Sequence, residues 1–146
     1  MKNKTILEMK ARELQTYIDH GYDQELANIA DWEAKALLSA RDKRNEAGRK
    51  VDLAAVESLS SLRSEYPNGE SDVQYMNKKV ILEESTKSQK SRIDDEFIDT
   101  KIKIREEAYN KRGEAERKLR EAKAELDQIS IQLAYNSANS KKNPLM

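Results

Sequence analysis

The 146-residue chain contains no cysteine, two prolines, four glycines and one histidine. Each shortage excludes a class of chemistry. Without cysteine there is no disulfide framework, no thiolate nucleophile and no sulfur-based metal site. With His20 as the sole histidine, a histidine metal centre or a nucleophilic triad lacks identifiable partners. His20 therefore reads as a solvated helix-end residue. The glycines, at 21, 48, 69 and 113, stand alone, so there is no phosphate-cradling loop. There is no P-loop and no nucleophile elbow, and neither an enzyme nor a cofactor is expected.

Aromatic residues make up only 5% of the chain, too few for a thick core. No apolar run approaches the roughly 20 residues that span a bilayer. The N-terminal stretch MKNKTILEMKAREL lacks an apolar core of signal-peptide length. A cytoplasmic protein, or one within a particle assembled in the cytoplasm, is expected, with no membrane partner. Net charge is also missing: 27 basic groups balance 27 acidic ones. A dedicated nucleic-acid binder usually carries a basic excess.

What remains is charge and helix. Charged residues are 37% of the chain, equal to the apolar share. The signs are finely mixed and apolar residues recur at helical spacing, so the composition fits a long charged helix or coiled coil rather than disorder. Leu7, Ala11, Leu14 and Ile18 step by four, three and four. His20-Gly21 follows and opens the prospect of a separate N-terminal helix before Gly21. Leu26, Ile29, Ala30, Leu37 and Ala40 continue the stripe, and Val51, Ala55, Leu59 and Leu62 resume it after the polar stretch RDKRNEAGRK.

The stretch SEYPNGESDVQ, Ser64–Gln74, then stops the helix. Proline disfavours helix in the residue before it, and Asn-Gly readily adopts positive φ. Ser71 followed three residues later by Gln74 reads as a capping box. A second long helix follows, with Val73, Met76 and Val80 starting its seam. Ile93, Phe97, Ile98, Ile102 and Ile104 form a broader patch, and Leu119, Ala122, Leu126, Ile129 and Leu133 form the cleanest heptad. The fold class predicted is all-α, a long antiparallel coiled-coil-like hairpin. It occupies residues 1–136, with the turn at 66–71 and a flexible polar tail over 137–146.

Charge supports the fold-back. If residue i faces residue 139 − i, residues 2–18 carry net +2 against −2 in 121–137. Residues 19–38 carry −4 against +4 in 101–120; 39–50 carry +3 against −2 in 89–100; 51–65 carry −2 against +1 in 74–88. All four facing pairs are opposite in sign. Exposed ion pairs add only about 0–1 kcal/mol each, so their larger role is fixing register.

Two groups of residues are candidates for interaction. Trp32, Phe97, Ile98, Ile102 and Ile104 are more apolar than a two-helix seam requires, which points to self-association or docking on a protein partner. Arg41, Lys43, Arg44, Arg49 and Lys50 form a basic stretch that could meet phosphates. Lys111, Arg112, Arg117, Lys118 and Arg120 are diluted by Glu114, Glu116 and Glu121. Asp94, Asp95, Glu96 and Asp99 lack the Glu-x-x-His that accompanies carboxylate di-metal bundles, so no metal is expected.

Long helical hairpins also occur among export-stalk proteins, molecular chaperones and viral assembly factors, and the shape alone fixes no function. The leading expectation is a non-enzymatic structural or assembly protein. It would act as a helical spacer, scaffold or bridging subunit in a larger complex, such as a viral particle or a secretion-type assembly. The alternatives are an accessory protein that binds nucleic acid or a nucleic-acid enzyme, and an inhibitor docking on a single target protein.

Overall fold

A computed structural model of the chain describes residues 2–142. The protein is an all-α helical hairpin: two long helical arms joined by a short turn. Helix α1 spans Lys2–Thr16, a single π turn spans Tyr17–Gly21, and α2 spans Tyr22–Glu65. A 3-10 turn at Gly69–Ser71 precedes α3, Val73–Lys142. No described residue is in a strand. No described helix is long and apolar enough to cross a membrane. Helix α3 covers the first six residues of the expected tail, and 143–146 lie outside the described residues.

His20-Gly21 does not end the first helix. The backbone stays helical through it and widens for one turn, so α1 and α2 form one arm. A π turn adds one residue to a helix without breaking its hydrogen-bonded course. The turn between the arms is built as its residues suggest. Pro67 and Asn68 occupy its centre, the Gly69 amide donates to the Tyr66 carbonyl at 3.0 Å, and Gly69 sits at φ +54°. That is the left-handed region, which glycine enters without steric cost. The cap of α3 is one residue later than the sequence pattern indicates. Asp72, not Ser71, caps the helix: the Gln74 amide donates to its Oδ1 at 2.8 Å. A short acidic side chain suits this position, where free amides and the positive helix end both favour a carboxylate.

The chain forms two compact units. The terminal unit contains residues up to Trp32 together with those from Glu107 onward. Its core on α3 is Ala108, Ala115, Ala122 and Ile129, all buried and seven residues apart. Leu119 and Leu126 between them and Leu133 beyond them are half-buried, as are Leu7, Ala11, Leu14 and Ile18 on α1 and the π turn. A seven-residue repeat returns to one helix face, and alanine there lets a facing helix approach closely. Lys10 and Glu125 pair across the arms at 2.6 Å.

The turn-proximal unit contains Glu33–Glu106. Ala40 is buried on α2, and Val51, Ala55, Leu59 and Leu62 are half-buried. From the cap into α3 the inward stripe near the turn is Asp72, Tyr75, Lys79, Leu82 and Thr86. Val73, Met76 and Val80, expected in the seam, are instead exposed. The turn and the Asp72 cap set the rotation of α3 so that Tyr75, only 1% exposed, faces inward. One tyrosine ring buries about 150–250 Å² on its own. Tyr66 lies 6.4 Å from it, ring to ring, and the Tyr66 hydroxyl donates to Gln74 Oε1 at 3.3 Å. Lys79 lays its stem in the seam and reaches Glu70 at 3.5 Å.

Cross-arm ion pairs fall one to four residues from the mirror positions that the charge pattern gives. Arg44 meets Asp94, Asp52 meets Lys90, and Glu65 meets Lys78.

Candidate interaction surface

The expected apolar patch divides. Phe97 and Ile104 are half-buried in the seam of the turn-proximal unit, while Ile98 and Ile102 are exposed. The reason is spacing: Ile98 follows Phe97, one position off the seam. Trp32 belongs to the terminal unit, half-buried beneath Lys111, whose ammonium is 3.6 Å from the ring centroid. That is cation–π geometry.

The basic stretch also divides. Arg44 donates to Asp94 at 2.8 Å and lies over the Phe97 ring at 5.1 Å, with Lys101 at 5.1 Å from the same ring. These contacts fill the gap that the polar sequence left in the seam. Arg49 donates to both carboxylate oxygens of Glu46, at 2.9 and 3.0 Å. Arg41 lies 4.0 Å from Asp42. Lys43 and Lys50 are exposed on the side opposite Asn45, Gly48 and Asp52. The five cations therefore divide between the seam, neighbouring carboxylates and one exposed side. Among the described residues, no three His, Asp or Glu side chains converge as metal ligands would.

A different surface emerges from the exposed residues. A right-handed helix turns about 100° per residue. Because the arms run in opposite directions, the residue after a seam position projects to the same side on both. The groove holding Asn45, Gly48 and Asp52 of α2 with Lys90 and Asp94 of α3 marks that side. Nine large apolar side chains of this unit are exposed, and six of them share this side: Val56, Val73, Met76, Val80, Ile98 and Ile102. Val73 is 74% exposed and Val56 65%. Leu53 lies apart from them, Leu38 lines a groove with Lys43, Glu46 and Lys50, and Ile81 precedes seam residue Leu82. On the opposite side most residues preceding seam positions are polar, Lys43, Glu46, Lys50 and Ser58 on α2 and Lys78, Arg92, Glu96 and Thr100 on α3, with exposed Ile81, before Leu82, the large apolar exception. The unit is apolar in its seam, and one flank carries more of its exposed apolar side chains than the other. The signal is present in the sequence as Val73, Met76 and Val80 at helical spacing, where it reads as seam.

The terminal unit carries a second feature, centred on the π turn. The Tyr17 hydroxyl donates to Glu25 Oε2 at 3.0 Å, Lys118 donates to Glu25 Oε1 at 2.8 Å, and the Lys118 ammonium lies 4.7 Å from the Tyr17 ring. The hydrogen bond from Lys118 holds the Glu25 carboxyl below its ordinary range, with Tyr17 helping and partial burial opposing. Partial burial, then the bond to Glu25, raises the Tyr17 hydroxyl. The bond to Glu25 raises Lys118.

A lowered carboxylate pKa contributes stability above its unfolded value and loses it as pH falls through the folded value. The raised pKa values of Tyr17 and Lys118 contribute below their unfolded values and lose it as pH rises through the folded ones. Thermal stability should therefore fall on both sides: below the usual carboxylate range, and above about 10. Glu25→Gln should flatten the acid limb and reduce the alkaline one, where burial of Tyr17 still acts, in a pH series of thermal melts followed by circular dichroism. The effect stays below about 1 kcal/mol because Lys118 is 60% exposed. An unchanged pH profile would show that the cluster carries no linkage.

No family model matches the chain, and no curated protein or solved structure matches it.

Proposed function

We propose that the chain is a non-enzymatic structural or assembly subunit that joins a larger complex through the apolar flank of its turn-proximal unit. The observation that supports this is the clustering of Val56, Val73, Met76, Val80, Ile98 and Ile102 on one side, against an opposite side that is polar but for Ile81 and Leu38. An apolar flank of this extent gains stability when covered, at roughly 25 cal/mol per Å². The polar side keeps such a subunit from aggregating without direction. In this role the hairpin is a scaffold or bridging element, and the ion pairs between its arms hold register rather than perform chemistry.

The test is the size at which the untagged chain migrates in native lysate. The expected result is a species well above the mass of one chain that shrinks when Met76→Glu and Ile98→Glu are combined. Ser58→Glu, on the polar side, should leave it unchanged. Migration at the mass of a single chain would overturn the reading, as would a large species indifferent to Met76 and Ile98.

A further inference from the structure

We infer that the partner on this flank is a second copy of the chain, laid antiparallel, with a two-fold axis passing beside Val56 and Lys87. The inference rests on the assembly reading above and names its occupant.

The flank of α3 is itself patterned. Val73 and Met76 lie toward one end, Ile98 and Ile102 toward the other, and Glu83, Lys87 and Lys90 lie between them. Reversing the stripe about Lys87 brings Met76 opposite Ile98 of the copy and Val73 opposite Ile102 of the copy. The same reversal sets Glu83 opposite Lys90 of the copy, an opposite-sign pair that occurs on both sides of an axis where Lys87 meets its own copy, and it sets Val80 opposite Asp94 of the copy. Every such pair occurs twice in an isologous contact. The arm α2 agrees independently. The Asp52–Lys90 ion pair fixes which levels of α2 and α3 stand side by side. Four residues onward from Asp52 is Val56, and four residues back from Lys90 is Thr86, so Val56 stands level with Thr86 and beside Lys87. The axis chosen from α3 alone thus runs past Val56, and the 65% exposed valine meets its own copy. A parallel arrangement would instead set Val56 against Lys87 of the copy.

The size is adequate. The stripe from Val73 to Ile102 is about 44 Å long at 1.5 Å per residue, and two helices are about 20 Å wide. The flank is therefore about 900 Å² per copy, against about 800 Å² per partner in a standard stable interface. The product would be a four-helix arrangement over this unit, the usual way that two apolar hairpin faces are covered.

The absence of cysteine makes the test clean, because a single introduced thiol has only its own copy to pair with. The purified full chain should have the mass of two copies by light scattering. Val56→Cys should cross-link to a covalent dimer on mild oxidation, and Ser58→Cys should not. Met76→Glu should give the mass of one chain with unchanged helicity. A single-chain mass for the purified protein at all concentrations would overturn the inference, and so would a dimer cross-linked through Ser58→Cys but not Val56→Cys. If the purified chain is single while the lysate species still depends on Met76 and Ile98, the self-pairing fails and the assembly reading stands.

Discussion

Replacing Tyr75 with alanine should destabilise the turn-proximal unit by about 3 kcal/mol or more, the usual cost of removing a buried aromatic side chain. Tyr75 is the largest fully buried side chain among the described residues, in a unit whose only other buried apolar side chain is Ala40. Its loss would leave a void beside Tyr66 and remove the ring against which Tyr66 tilts at 58°. The Lys78 ammonium, 5.0 Å from the Tyr66 ring, and its 3.5 Å contact with Glu65 would lose their support. Amide exchange should then rise first between about residues 60 and 80, because local opening follows the weakest packing. Tyr75→Phe keeps the ring and should cost less than about 1.5 kcal/mol. Chemical denaturation of the two variants checks the difference. Equal losses would mean that the hydroxyl, and not the buried ring, holds the turn.

Tyr75 also shows how far the sequence can be read. Two arms, a turn over Pro67-Asn68-Gly69 and opposite charges facing across the arms all follow from period, proline and sign, which are local properties. The rotation of α3 about its axis is different. Val73-Met76-Val80 and Asp72-Tyr75-Lys79 have the same spacing and differ by one residue, or about 100°. Apolar count favours the first set, but the cap at Asp72 and the left-handed Gly69 select the second. Period alone cannot choose between two stripes when a long lysine stem and a tyrosine ring can fill a seam as well as valine. The same ambiguity hides the apolar flank. Ala108 and Ala115 escape a reading by hydrophobicity because alanine carries little of that signal, although their spacing to Ala122 and Ile129 is seven. The Tyr17–Glu25–Lys118 cluster is not legible in sequence, since its bonded members are 8 and 93 residues apart and meet over a π turn and across the two arms.

That π turn leads to the second large effect, a reversal of sign. A glycine inside a helix ordinarily costs about 1 kcal/mol relative to alanine, so Gly21→Ala would be expected to stabilise. Here a Cβ on residue 21 would stand 2.7 Å from Tyr17 Cδ2 and 3.4 Å from two further ring atoms. The missing side chain leaves a trough in which the Tyr17 ring lies, its hydroxyl reaching Glu25. Alanine would fill the trough. Either the ring swings out, losing the 3.0 Å bond to Glu25 and the contact with Lys118, or the backbone shifts. Overpacking of this kind costs about 1–3 kcal/mol. In a Tyr17→Ala background nothing occupies the trough, and the same Gly21→Ala change should stabilise by about 1 kcal/mol. The two substitutions should therefore couple by about 2 kcal/mol or more, measured by denaturation of both single variants and the double. If Gly21→Ala stabilises equally with and without the tyrosine ring, then the ring does not depend on the glycine, and the π turn must be held by something other than their contact.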